Sequence, residues 1–218
     1  MTILLNSFFN KEPCLLAKQL LGKVIRRKYR QFWLSAQIIE TEAYSYEENG
    51  SHSSLGFTEK RKAQFMLPGT IYMYYARGKD SLNVSCKGKG NAVLIKSAFP
   101  YEDHLTTSSA IAVMQQLNHH PSGQIRSVQN LCQGQTLLCS SLDLKVADWD
   151  QQQFIKECFY IDDVNIRPDK IIQTTRLGIP KGRDENLPYR FIDYEFAPYC
   201  SSNPLTKRKK IPISIIKK

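Results

Sequence analysis

Apolar residues fall in short runs cut by Gly, Pro and polar clusters, and the period of the runs changes along the chain. Over 10–21, Leu16, Ala17, Leu20 and Leu21 recur at helical spacing. Asn10 is placed to cap that helix, Pro13 suits its first turn and Gly22 its stop. Residues 23–28 and 32–41 then read as two strands of a hairpin turning at Tyr29-Arg30-Gln31. The second strand runs through Ile38-Ile39-Glu40-Thr41-Glu42-Ala43-Tyr44, whose β-branched residues favour an extended chain. Strand alternation puts Glu40, Glu42 and Tyr44 on one face.

Residues 45–62 are polar, rich in Ser and Gly, and without a period, so a long loop is expected there. Pro68-Gly69 turns into an aromatic strand over 70–76, with Tyr72 and Tyr74 sharing a face. A charged turn, Arg77-Gly78-Lys79-Asp80, returns the chain as a strand over 82–86. Lys87-Gly88-Lys89-Gly90 turns again into the most apolar strand, 92–99, broken only by Lys96 and Ser97. Helices are expected over 105–117, 134–142 and 151–158, and strands over 159–161 and 170–174. A loop over 175–187 leads to a last ordered element at 189–192.

Composition narrows the class. A chain of 218 residues with 42% hydrophobic and 23% charged residues suits one globular domain. A domain over 1–203 and a flexible basic tail over 204–218 are expected, with no internal repeat. No apolar run approaches the ~20 residues of a membrane helix, and Met1 to Phe9 lacks the features of an export signal. The net charge of +10 draws the chain to polyanions, but six of those charges sit in the tail at Lys207, Arg208, Lys209, Lys210, Lys217 and Lys218. The six cysteines form no C-x-x-C pair and no zinc-type spacing with His, so reduced thiols and no metal site are expected.

Candidate chemistry centres on Glu42. A carboxylate beside a ring at the end of a buried strand can act as a general base next to a stacking platform. The same residues also fit a strand running out to solvent with ordinary surface acids. Lys87 and Lys89 lie in a Gly-rich turn that could approach a phosphate.

The combination of motifs resembles the alkyladenine (3-methyladenine) DNA glycosylase family. Glu42-Ala43-Tyr44 is followed by His52-Ser53, Gly56-x-Thr58-x-x-Arg61, Pro68 to Tyr74 and Asn83-Val84. Later come Leu131-Cys132-x-Gly134, Arg176-Leu177-Gly178-Ile179 and Tyr189-Arg190-Phe191. The resemblance covers about 13–192 and is densest over 38–99. It implies a mixed α/β (α+β) domain on a curved antiparallel sheet with flanking helices. It implies, too, a monofunctional glycosylase that binds double-stranded DNA as a monomer, needs no cofactor, and flips out alkylated or deaminated purines. If the source is prokaryotic, the cytoplasm or nucleoid is implied.

The resemblance assigns Glu42 as the base that activates water. It places the Leu177 carbonyl and Lys96 beside that water, Lys96 standing where the family has Arg. Tyr44 and His52 take one face of the base and Tyr74 the other, while Asn83 screens its edge. Arg77 stands where the family commonly plugs the gap with Tyr. Lys60, Arg61, Lys87 and Lys89 complete the expected DNA contacts, and Glu40 is taken as structural. A lesion-binding module without turnover, or a transferase domain sharing the fold, are the alternatives.

Overall fold

The computed structural model describes residues 2–206 and 212–217. In chain order it runs β1 (Thr2–Ile3), α1 (Asn6–Phe9), α2 (Pro13–Leu20), β2 (Val24–Tyr29), β3 (Phe32–Tyr44), β4 (Ile71–Ala76), β5 (Lys79–Ser85) and β6 (Ala92–Pro100). Then come α3 (Ser108–Leu117), α4 (Gln135–Ser141), α5 (Val146–Trp149), β7 (Phe159–Asp163), β8 (Lys170–Thr174), β9 (Arg190–Asp193) and β10 (Ile213–Lys217). The strands form one antiparallel sheet in the order β1-β7-β2-β3-β6-β5-β4, with a branch β9-β8-β10 leaving β3. The fold is the expected mixed α/β type, with the sheet left open.

Everything hangs on β3. Its first half pairs β2 on one edge and its second half pairs β9 there, while β6 follows along the other edge. The ladder with β6 is irregular. Ile38 faces Ala98, Glu40 faces Ser97 and Thr41 faces Ile95, so Ile39 and Lys96 are each left without a partner. Such bulges re-aim side chains and recur beside active sites. Helix α2 packs its apolar stripe on this strand: Leu16, Ala17, Leu20 and Leu21 are fully buried. Thr41 Oγ1 donates to the Ala17 carbonyl at 2.9 Å, fixing the strand one residue before Glu42.

Several expectations shift. Asn10 closes α1 and does not cap α2, which starts at Pro13 after Glu12 with no side-chain cap. The helix expected over 151–158 is absent: α5 ends at Trp149, and the following segment instead covers the outer edge of β4. The Ile71 N–H donates to the Gln152 carbonyl, the Gln151 N–H to the Ile71 carbonyl, and the Met73 N–H to Asp150 Oδ1. An edge strand needs its backbone groups satisfied, and this demand outweighs local helical preference. The expected loop over 45–62 carries two 3₁₀ turns, His52–Leu55 and Glu59–Phe65. Part of the expected flexible tail is a strand: β10 pairs β8 over five residues, from Ile213 opposite Thr174 to Lys217 opposite Lys170. Lys217 is therefore an edge-strand residue, while Lys207 to Lys210 and Lys218 lie outside the described residues.

Candidate active site

Strand β3 delivers Glu42 fully buried, behind a wall of Tyr44, Lys96 and Leu177 that faces a cavity of about 690 Å³. That volume lies in the usual range for small-molecule sites. Glu42 Oε2 accepts the Tyr44 hydroxyl at 2.8 Å and faces Lys96 Nζ at 3.5 Å. Oε1 accepts the Leu177 N–H at 3.1 Å. Alternation along β3 explains the Tyr44 bond, since residues two apart share a face. Lys96 stands two residues from Leu94, the cross-strand partner of Glu42, so strand alternation puts this lysine of an otherwise apolar strand on the carboxylate's face. Leu177 presents its N–H to Glu42, where the resemblance pointed to its carbonyl.

Burial, then the neighbouring Glu42 carboxylate, holds the Tyr44 hydroxyl well above its ordinary pKa. It remains a protonated donor. The back of the ring is covered by Arg176, whose guanidinium carbon lies 4.5 Å from the ring centroid. Arg176 also donates to the Ala43 carbonyl at 2.9 Å and pairs with Glu48 at 2.5 Å. A cation over a ring face and two further contacts fix both partners. Nothing in the sequence reading gave Arg176 a role; its place directly before Leu177 was the available signal.

The aromatic wall comes from β4 and the 3₁₀ turn that starts at His52. His52 Nδ1 and the Tyr72 hydroxyl are 3.1 Å apart, and the His52 ring meets Tyr74 edge-on with centroids 4.5 Å apart. The Tyr72 and Tyr74 ring centroids lie 5.6 Å apart, with the rings tilted 30° to each other. His52 reaches the surface, yet desolvation by the packed wall, then Arg61 and Arg183, lower its pKa from the ordinary value. Its ring is thus neutral near pH 7. The contact between His52 and Tyr74 leaves no slot for a base. Seating one between them requires a separation of roughly 7 Å, twice the ~3.5 Å stacking distance.

Asn83 is buried on β5 at the cavity and donates from Nδ2 to the Tyr72 carbonyl at 3.1 Å. Arg77 stands exposed at the tip of the β4–β5 hairpin, where Arg77-Gly78 forms the two-residue turn between the paired Ala76 and Lys79. Both turn residues have positive φ, 53° and 76°. That geometry suits the right-handed twist of a hairpin, but for a non-Gly residue it costs about 1–2 kcal/mol. Arg77 lines the cavity mouth together with Lys79 and Arg183, and the sequence reading had not singled out Arg183.

The other expected DNA contacts stand apart from the cavity. Arg61 braces its own loop by donating to the Gly56 carbonyl at 3.0 Å. Lys60 and Lys89 are exposed. Lys87, also exposed, pairs with Glu12 at 3.0 Å. Among the described residues no cluster of His, Cys, Asp or Glu is placed to hold a metal, and no helix is long and apolar enough to cross a membrane.

A carboxylate held behind aromatic rings at a cation-rimmed cavity is the layout of an enzyme acting on a polyanion. The comparisons make this specific. Residues 7–196 match the model of the methylpurine-DNA glycosylase (MPG) family. A protein of Pseudomonas savastanoi pv. phaseolicola, named "Putative 3-methyladenine DNA glycosylase", is 58% identical over 200 residues, covering 92% of this chain and 90% of its own. A protein of the same name from Pseudomonas aeruginosa is 55% identical over 202 residues, 93% and 84% of the two chains. One from Francisella tularensis subsp. tularensis is 30% identical over 181 residues, 80% and 86%. The protein belongs to the methylpurine-DNA glycosylase family. It is a monofunctional DNA glycosylase of the 3-methyladenine type, a base-excision-repair enzyme that binds DNA and hydrolyses N-glycosyl bonds.

Proposed function

We propose that the protein flips alkylated or deaminated purines, of the 3-methyladenine, hypoxanthine and ethenoadenine class, out of double-stranded DNA and releases them with a water activated by Glu42. The observation that carries this reading is the hydrogen-bond count at Glu42. An ionised carboxylate offers about four acceptor positions, and three are taken, by Tyr44, Lys96 and Leu177. The fourth remains for a water. The Lys96 contact is the longest and belongs to a cavity-lining residue, so it is the one that loosens to let water in.

The flipped base stacks on Tyr44, with Tyr74 and His52 parted around it, and stacking is worth ~1–3 kcal/mol per base. The bond from the sugar C1′ to the base nitrogen breaks with its electron pair leaving on the base. Charge builds on the sugar as an oxocarbenium-like cation. The water oxygen bonds to C1′ and passes a proton to Glu42. Lys96 supplies a single charge beside Glu42, where an Arg would add a second hydrogen bond. Arg77 fills the gap in the stack, and Arg183 and Lys79 contact the flanking phosphates.

The test is base release from duplexes containing hypoxanthine, 3-methyladenine or ethenoadenine, followed by alkali cleavage. Release that leaves an alkali-sensitive, otherwise intact strand is expected. Tight lesion binding without release would leave a binding module instead.

A further inference from the structure

Gln64 sits at the inner end of the 3₁₀ turn Glu59–Phe65, with 2% of its surface exposed, and lines the cavity beside Tyr72 and Asn83. Its backbone is fixed: the Gly90 N–H donates to the Gln64 carbonyl at 2.9 Å, and the adjacent Ala63 packs against Tyr72 and Ala92. Its side-chain Oε1 is buried and has no hydrogen-bond partner among the described residues. The amide of Asn83, by contrast, is already engaged with the Tyr72 carbonyl. Buried polar atoms are almost always paired, so an orphan at a binding cavity calls for a partner.

We propose that Gln64 is a specificity-determining residue that reads the edge of the flipped purine, its Oε1 accepting an N–H of the base. The inference rests on the glycosylase reading above. Hypoxanthine carries such a donor at N1. In ethenoadenine the etheno bridge joins N1 and N6, and that edge has no N–H. A site built around an unpaired acceptor discriminates strongly between ligands that can and cannot fill it, because the wrong one leaves the acceptor buried and unpaired. The chemistry therefore favours hypoxanthine and other purines with a ring or exocyclic N–H over fully substituted ones.

The experiment measures single-turnover release of hypoxanthine and of ethenoadenine, each opposite thymine, for the wild type, Gln64→Met and Gln64→Glu, together with melting temperatures. Gln64→Met should lower the hypoxanthine-to-ethenoadenine rate ratio about tenfold or more. It should melt no lower than wild type, since it removes an orphan and breaks no bond. Gln64→Glu keeps an acceptor in place and should hold the ratio within about threefold. An unchanged ratio in the Met variant overturns the proposal, as does a Met variant that melts well below wild type, which would expose a structural bond. A Glu variant that behaves like Met overturns it too. Failure of the wild type to release either base would instead bring down the function on which the proposal rests.

Discussion

Glu40 and Glu42 leave β3 two residues apart, both with no exposed surface. Glu40 meets four donors: Arg190 Nε at 2.6 Å and Ser201 Oγ at 2.8 Å on Oε1, Ser97 Oγ at 2.5 Å and the Ser201 N–H at 2.8 Å on Oε2. Every acceptor position is filled. Arg190 is itself buried and also donates to the Ser202 carbonyl at 2.7 Å. This carboxylate ties β3, β6, β9 and the segment after β9 together, and it has nothing left to offer a substrate. Glu42 meets three donors, one of them a long contact from a lysine at the cavity. Two acids of the same type and burial thus differ in saturation. A saturated carboxylate is a fastener, and an unsaturated one next to a cavity is free to take a proton.

Variants at the two positions should separate the two roles. Glu42→Gln should lower single-turnover base release by about 10²–10⁴-fold, the usual worth of a general base. Lesion affinity by fluorescence anisotropy should stay near wild type, and so should the melting temperature. Glu40→Ala should do the converse. Leaving Arg190 buried and unpaired costs about 3–5 kcal/mol, seen as a large drop in denaturation midpoint, while the release rate per folded molecule holds. If Glu40→Ala abolished release in a protein that still folded, or Glu42→Gln released base at near wild-type rate, the contrast would collapse.

The hairpin tips extend the comparison. Arg30 and Arg77 occupy the same first position of a two-residue turn, with φ of 52° and 53°. Arg30 lies over the ring of its own Tyr29, centroid distance 5.2 Å, whereas Arg77 lines the cavity mouth. Arg77→Ala should slow release of hypoxanthine paired with thymine about tenfold, and leave release from single-stranded DNA nearly unchanged, because only a stacked duplex needs the gap filled. Arg77→Tyr should restore the duplex rate, and Arg30→Ala should change neither. Equal losses on both substrates, shrinking at high salt, would make Arg77 a phosphate contact.

The smallest effect concerns a third acid, Asp193, at the end of β9. Burial, then the nearby Glu195 and Asp169, push its carboxyl up to about 6. A folded-state pKa above the unfolded value contributes stability at low pH that is lost as pH rises from about 4 through about 6. Asp193→Asn should therefore raise the melting temperature by a few degrees at pH 8 and by less at pH 5. An equal change at both values would show that Asp193 does not titrate differently on folding.

Much of the site was legible from local pattern. The alternation that puts Glu42 and Tyr44 on one face holds, as their 2.8 Å bond shows. The aromatic strand, the apolar strand and the hairpin between them stand close to where periodicity placed them. The helix expected over 151–158 failed because a chain segment was needed along β4, a demand that no local window contains. The extra strand at Ile213–Lys217 escaped for the same reason, since charge marked the region as a tail and only β8 gives its residues a partner.

By itself, then, the sequence determined which residue types the strands carry and in what order: an acid, a ring two residues on, a histidine in the next loop, rings on a hairpin with Arg at its tip. These follow from local sterics and from a period of two. Tertiary structure decided what each group would do. It paired β6 with β3 so that Leu94 faces Glu42, which brings Lys96, two residues on, to that carboxylate. It brought Arg190 and Ser201 across more than a hundred residues to saturate Glu40, and Leu177 a similar distance to Glu42. It also left the Gln64 oxygen unpaired among the described residues at the cavity. Saturation of a buried polar group is a sum over distant partners, so a linear reading names the candidates and the folded chain sets their chemistry.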